Sequence, residues 1–247
     1  MLYYNNIVHF LWLDAPFGDL EYNCINSWVK NNYECWVWSY DCLNLPHGAI
    51  AKKAADILPE SSIFKHKFGK TGIGSVSGFS NFFRYKVLLE FGGVWSDADV
   101  YCFKRLPETP YLFIKESPYI NKQGVPGICR VVSCIFAVPP NSLVMQECWD
   151  RCCEFDTDKL LWATSGPILL YDSILKLDLS CYIRSPEQYI PIMWDKAEQL
   201  MHKPLLKFDD CYTVHFWHQQ LLELGYDLNE NYDGSTFGAL INNKILI

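Results

Sequence analysis

The stretch FGGVWSDADVYCF, Phe91 to Phe103, constrains this chain more than any other. Two aspartates, Asp97 and Asp99, stand one residue apart in an apolar, aromatic run that follows a Gly-Gly pair. A buried charge is costly unless it is paired or bound. Read as a strand, the run turns residues 97 and 99 to the same side. Their carboxylates then share a patch and repel unless a cation lies between them. Hard oxygen donors suit Mg²⁺ or Mn²⁺, which takes one or two carboxylates together with waters and substrate phosphates. In open α/β sheets ligands gather at the carboxyl ends of strands. An Asp-x-Asp at a strand end is therefore well placed for a metal diphosphate, although surface loops produce the same pattern by chance.

The surrounding pattern predicts an α/β layer. Ile7 to Leu13 reads as a buried strand and YECWVWSYD as a second. Between them, Leu20, Cys24, Ile25 and Trp28 share one helical face. GAIAKKAADIL reads as a further helix, stopped by Pro59. FSNFFRYKVLLEF reads as a helix ended by Gly92, and GVWSDADVYCF as one strand. Residues 104–128 read as loops. ICRVVSCIFAVP is a strand, and NSLVMQECWDRCCEF a helix with Asn141 at its N-cap. SGPILLYDSILKL starts another helix, with Pro167 in its first turn. Strand-helix alternation of this kind builds a parallel sheet covered by helices. No repeat, low-complexity tract or linker interrupts it, so residues 1–247 read as one domain.

Composition excludes some classes of function. Half of the 247 residues are hydrophobic, enough for a substantial core. The net charge of −7 argues against a surface built to grip nucleic acid. The eleven cysteines lack C-x-x-C spacing and read as reduced, mostly buried thiols. No signal peptide and no segment of membrane-spanning length stands out. The expectation is a cytoplasmic protein without an integral membrane segment.

FSNFFRYKVLLEFGGVWSDADV resembles the signature of glycosyltransferase family 32 and the related clostridial-toxin glucosyltransferases. The matching positions are Ser80, Arg84, Tyr85, Leu88, Gly92, Gly93, Trp95, Asp97 and Asp99. IVHFLWL is similar to the family's first strand, and YTVHFWHQQ to its C-terminal histidine element. The resemblance implies a GT-A fold, a Rossmann-like sheet flanked by helices that binds a nucleotide sugar. It implies Asp97, Asp99 and His215 as metal ligands for Mn²⁺ or Mg²⁺. It also implies Trp12, Tyr40, Asp41, Asn81, Arg84 and Asp97 on the donor, and Gly166, Pro167 and Trp217 on the acceptor side. Arg84, with its planar fork, is expected to bridge phosphate oxygens or sugar hydroxyls. The catalytic set is Asp97, Asp99 and Arg84. His218 stands where the family has a different residue, as either a replacement ligand or a surface histidine. Asn81 replaces the usual aspartate, so its contact with the donor sugar carries no charge.

The implied reaction is retaining sugar transfer from a nucleotide-sugar donor, UDP-sugar favoured, to a hydroxyl of a glycan acceptor. A hydroxymethylated DNA base, as in phage or viral enzymes, or a protein is the alternative acceptor. A binding module that holds a nucleotide sugar without turning it over is a further alternative. A haloacid-dehalogenase phosphatase fits poorly, because its Asp-x-Asp lies on the first strand. An EF-hand-type calcium loop lacks its glycine and spaced ligands.

Overall fold

The computed structural model describes residues 3–13, 16–69, 72–116, 130–202 and 204–241. The elements run β1 (Ile7–Leu11), α1 (Asp19–Lys30), β2 (Glu34–Ser39), β3 (Ile50–Lys53), α2 (Ser77–Phe91) and β4 (Gly93–Ser96). Then come β5 (Val100–Cys102), β6 (Leu112–Lys115), β7 (Val131–Val138), α3 (Leu143–Glu154) and α4 (Leu169–Lys176). The chain continues through β8 (Ile183–Arg184), β9 (Thr213–His215), α5 (His218–Glu223) and α6 (Thr236–Ile241). Seven strands form one sheet in the order β3-β2-β1-β4-β7-β6-β8, and β5 pairs with β9 in a small second sheet.

The first half of the large sheet is parallel: β1 pairs in parallel with β2 and β4, and β2 with β3. The carboxyl ends of β1, β2 and β4 therefore share one edge, where Trp12, Tyr40 and Asp97 follow their strands. Strand β7 runs against both β4 and β6. The expected α/β sheet flanked by helices is what the chain forms. Both faces are covered, so β1 is apolar almost throughout. Val8 and Phe10 pack with Ile25 and Trp28 of α1 in one core cluster. The opposite face packs Trp38, Phe83, Leu88, Trp95 and Phe136 with α3 and α4. A third cluster joins Leu20 and Cys24 of α1 to Phe216, Leu221 and Phe237.

The Gly-Gly pair has a steric cause. Gly92 ends α2 with φ 63° and Gly93 follows with φ 97°. A Cβ on Gly92 would stand 2.3 Å from the nitrogen of Pro140, and one on Gly93 2.5 Å from the carbonyl oxygen of Ile7. Only glycine lets the helix turn into β4 this close to β1.

Four expectations are corrected. GAIAKKAADIL is not a helix: Ile50–Lys53 is the edge strand β3, and Ala54–Asp56 a short 3₁₀ turn. Backbone pairing with β2 and the stacking of Lys52 Nζ 3.8 Å over Trp36 outweigh its modest helical pattern. Asn141 is not the N-cap. It sits at φ 56° after two prolines, its N–H donates to Leu89 O, and α3 starts at Leu143 with Ser142 as its extended cap. Residues 104–128 are not all loop, since β6 lies within them, inserted beside β7; the part from 117 lies outside the described residues. Finally, GVWSDADVYCF is two strands, β4 and β5, belonging to different sheets.

Candidate active site

The two aspartates occupy the turn that carries the chain from one sheet to the other. Asp97 N donates to Cys134 O of β7 at 2.8 Å, and Val100 N to Asp97 O at 3.1 Å. The side chains converge because the chain turns here, not through the pleat of one extended strand. Strand β9 then brings up His215. It lies opposite Val100 in the β5–β9 register, and Phe216 N donates to Asp99 O at 2.9 Å. Ligand atoms of Asp97, Asp99 and His215 all lie within 4.8 Å of one another.

Each carboxylate is held differently. Asp97 Oδ1 accepts from Trp95 Nε1 at 2.8 Å and from Arg84 at 3.4 Å. Asp99 stands with both oxygens 3.0 Å from His215 Nε2, and its Oδ2 also accepts from His218 N at 2.8 Å. Burial raises Asp97 above the usual carboxylate range, with Arg84 opposing. Burial also pushes Asp99 up, but His215 and the hydrogen bonds outweigh it and hold Asp99 down at about 2. Burial lowers His215, yet Asp99 overcomes this and raises it well above the ordinary histidine value. The Cys134 thiol acts on the same ring electrostatically, while Nδ1 has no aligned hydrogen-bond partner. Trp217 covers the imidazole, with ring centroids 3.9 Å apart, and donates its Nε1 to Ile192 O.

Arg84, expected to bridge phosphate oxygens or sugar hydroxyls, is buried among protein partners. It is 4% exposed and donates to Ser133 O, to Ser80 O and Oγ, and to Asp97. It also lies over the Trp95 ring at 4.8 Å. Its guanidinium thus meets Ser80, Ser133 and, at 3.4 Å, Asp97.

The other sequence-derived residues are placed as follows around the cluster. Asn81 donates to Ser165 Oγ at 3.2 Å and abuts Gly166, where an added Cβ would stand 2.9 Å from its amide nitrogen. Tyr85 OH donates to Gly166 O at 3.1 Å. Gly166 and Pro167 thus lie on α2's side of the site, in the kinked helical turn Thr164–Ile168. Trp217 lies against His215, at the carboxylate end. Tyr40 gives its hydroxyl to Leu58 O at 2.7 Å and packs toward Phe79. Asp41 is exposed, with its N–H on Ser39 Oγ. Neither touches the Asp97–Asp99–His215 cluster in any described contact.

Trp12 is only partly buried and stacks at 6.2 Å and 23° on His218. The His218 ring is not among the clustered ligand atoms. Its Nδ1 stands 2.7 Å from Glu21 Oε1 of α1. Burial lowers His218, but the Glu21 partner raises it above its ordinary value on balance. Sequence reasoning missed Glu21, and the signal was present: an acid four residues from Ile25 and seven from Trp28 shares their buried helical face.

The side chains present fit a divalent cation. Two hard carboxylates and an imidazole converge, a mixed oxygen and nitrogen set of the kind Mn²⁺ accepts. No described helix is long and apolar enough to cross a membrane. All ten described cysteines are free thiols.

Comparison with known proteins finds one family model similar to the stretch that carries the aspartates. The model described as "Glycosyltransferase sugar-binding region containing DXD motif" matches residues 18–117. No curated protein matches the chain. Among solved structures, the PaToxG glycosyltransferase is 13% identical, over 72% of this chain and 71% of that one, with a TM-score of 0.46. A transferase double mutant is 9% identical, over 70% and 85%, with a TM-score of 0.43. Likenesses this loose add nothing to what the site itself shows. Residues 18–117, with Asp97 and Asp99 inside them, are thus similar to the DXD-containing sugar-binding region of glycosyltransferases.

Proposed function

We propose that residues 1–247 act as one metal-dependent, retaining glycosyltransferase. It moves a sugar from a nucleotide-sugar donor, a UDP-sugar by preference, to a hydroxyl of a glycan acceptor. The observation that carries this reading is the convergence of Asp97, Asp99 and His215 at the sheet edge where Trp12 follows β1. Asp97, Asp99 and His215 would hold Mn²⁺ or, less well matched, Mg²⁺. The bound ion would offset the charge that collects on the nucleoside diphosphate as the anomeric bond breaks.

The chain's own residues do the rest. Arg84 and Trp95 fix Asp97, and His218 N fixes Asp99, so both carboxylates are oriented before the donor arrives. Trp12, partly exposed where it follows β1, would contact the nucleobase. Asn81 and the 164–168 turn flank the sugar, with Asn81 both donating and accepting. No described carboxylate besides Asp97 and Asp99 has been brought into the cluster. The favoured course is therefore attack by the acceptor hydroxyl on the face the diphosphate leaves, with the leaving phosphate accepting its proton. A trapped glycosyl-enzyme adduct would overturn that course.

The test is release of nucleoside diphosphate from a panel of UDP- and GDP-sugars with Mn²⁺, beside a chain carrying Asp97→Ala and Asp99→Ala. Metal-dependent release from one donor, absent in the variant, supports the transferase and names its sugar. No release and no donor-induced thermal shift would sink the donor site. Binding without turnover, even with acceptors present, would favour a nucleotide-sugar-binding module. Glycans, hydroxymethylated DNA and proteins are then offered as acceptors with the identified donor.

A further inference from the structure

Glu21 is a carboxylate only 2% exposed, on the apolar face of α1. Burying it is costly unless it is paired. Its Oε2 accepts the Gly18 N–H at 3.0 Å at the start of the helix, and its Oε1, otherwise without a hydrogen-bond partner, stands at ion-pair distance, 2.7 Å, from His218 Nδ1. His218 in turn reaches two ends of the site. Its backbone N–H donates to Asp99 Oδ2, and its ring lies stacked on Trp12. Phe17 also packs on Trp12, edge-on at 5.8 Å. Besides the stacking on Trp12, the one charged partner described for the His218 ring is Glu21.

We propose that Glu21 and His218 are a positioning pair that fixes the spacing between the Asp99 carboxylate and the face of Trp12. A nucleotide sugar presents the same two chemistries at a set distance, a diphosphate and a flat base. The pair would hold both receiving groups at that distance, so that binding a nucleoside diphosphate costs little rearrangement. This rests on the nucleotide-sugar reading above. His218 acts through Asp99 and Trp12 and does not join the metal ligands, since its ring lies outside their cluster. Partners that orient a site's ligands from behind commonly change affinity by about 10–100-fold when removed.

The experiment uses the full chain with Glu21→Gln, with His218→Ala, and with both. Mn²⁺ binding is read from the paramagnetic resonance of the free ion. Binding of UDP and of GDP in the presence of Mn²⁺ is read by calorimetry, and folding by urea melts. Each single variant is expected to weaken the nucleoside diphosphate that wild type prefers by about 10-fold. The double variant is expected to lose no more than the worse single, because the two residues act as one unit. Unchanged nucleotide affinity in folded single variants, or losses that simply multiply, would overturn the pair. If Glu21→Gln does not fold, His218→Ala decides alone: a merely structural histidine would alter the melt and leave nucleotide affinity untouched. Wild type that binds neither Mn²⁺ nor a nucleoside diphosphate removes the transferase reading itself. Wild type that binds while the variants match it removes only the pair.

Discussion

His9 and His215 are both buried, 0% and 5% exposed, and both stand among tryptophans on strands. They nevertheless titrate in opposite directions. His9 lies within the packed core. Trp38 Nε1 donates to its Nδ1 at 3.1 Å, and its Nε2 lies 2.9 Å from Gly92 O, to which it donates in that tautomer. Burial drives it down to about 3, so it stays neutral. His215 has Asp99 at 3.0 Å and is raised despite equal burial. Burial disfavours the charged form of both rings; a neighbouring carboxylate reverses the balance for one. The lesson is local. In this fold a buried histidine belongs to the candidate site only where the turn after β4 supplies an aspartate.

The widest break in the comparison is Asp99→Ala. It removes a proposed ligand and the partner of His215 in one step. Mn²⁺ affinity is expected to fall by more than about 100-fold, beyond the range seen for supporting residues. The imidazole resonances of metal-free protein should show His215 losing its proton at lower pH than in wild type. A His215 that titrates unchanged would mean the carboxylate is not its controlling neighbour.

His9 gives the next largest effect, in acid. The unfolded chain takes up a proton at this position from about pH 6.5 downward, whereas the folded chain refuses it until about 3. The stability that neutral His9 contributes is complete above pH 6.5 and declines as pH falls toward 3. The slope is about 1.4 kcal/mol per pH unit, or about 2.7 kcal/mol by pH 4.5. Urea melts of wild type and His9→Gln between pH 7 and 4.5 should differ by that slope. Parallel curves would show that His9 binds its proton in the fold. His215 has the opposite sign: being raised, it contributes in full below pH 6.5 and is lost as pH rises through its folded value.

Trp38→Phe comes third. It leaves the buried His9 Nδ1 without a donor, at a cost of about 1–3 kcal/mol in urea melts. The folded fraction should bind Mn²⁺ as wild type does, since Trp38 makes no described contact with the carboxylate cluster.

Much of the site could be read from the sequence because its parts are close together in it. Arg84 to Asp99 is one helix, a Gly-Gly turn and a strand, and spacing within such a unit survives folding. The geometry of Asp97 and Asp99 was less legible, because nothing local announces that a run of apolar residues changes sheet at its acids. The partners of Arg84 were hidden, because Ser133 lies 49 residues away, on β7. Glu21 and His218 lie almost two hundred residues apart, and only the packing of α1 against the C-terminal helices joins them. GAIAKKAADIL failed for the opposite reason: its local pattern favoured helix, and an available sheet edge outweighed it.

The smallest expected effect isolates the far end of the site from its charges. Tyr85 is fully buried, and its hydroxyl donates to the carbonyl of Gly166 at 3.1 Å. Tyr85→Phe removes one neutral hydrogen bond and almost no volume. The acceptor left behind is a carbonyl, so the loss should be about 1 kcal/mol. Asp97, Asp99 and His215 take no part in that bond, and Mn²⁺ affinity should stay within twofold of wild type. Gly166 is pressed against the Asn81 amide, however, so a loosened 164–168 turn would be felt where the sugar is proposed to lie. The expected signature is a changed KM for acceptor with metal and nucleotide binding intact. A variant that also loses Mn²⁺ would show that the carboxylate cluster depends on α2 as a whole, and that the contrast between His9 and His215 is not set by their immediate neighbours alone.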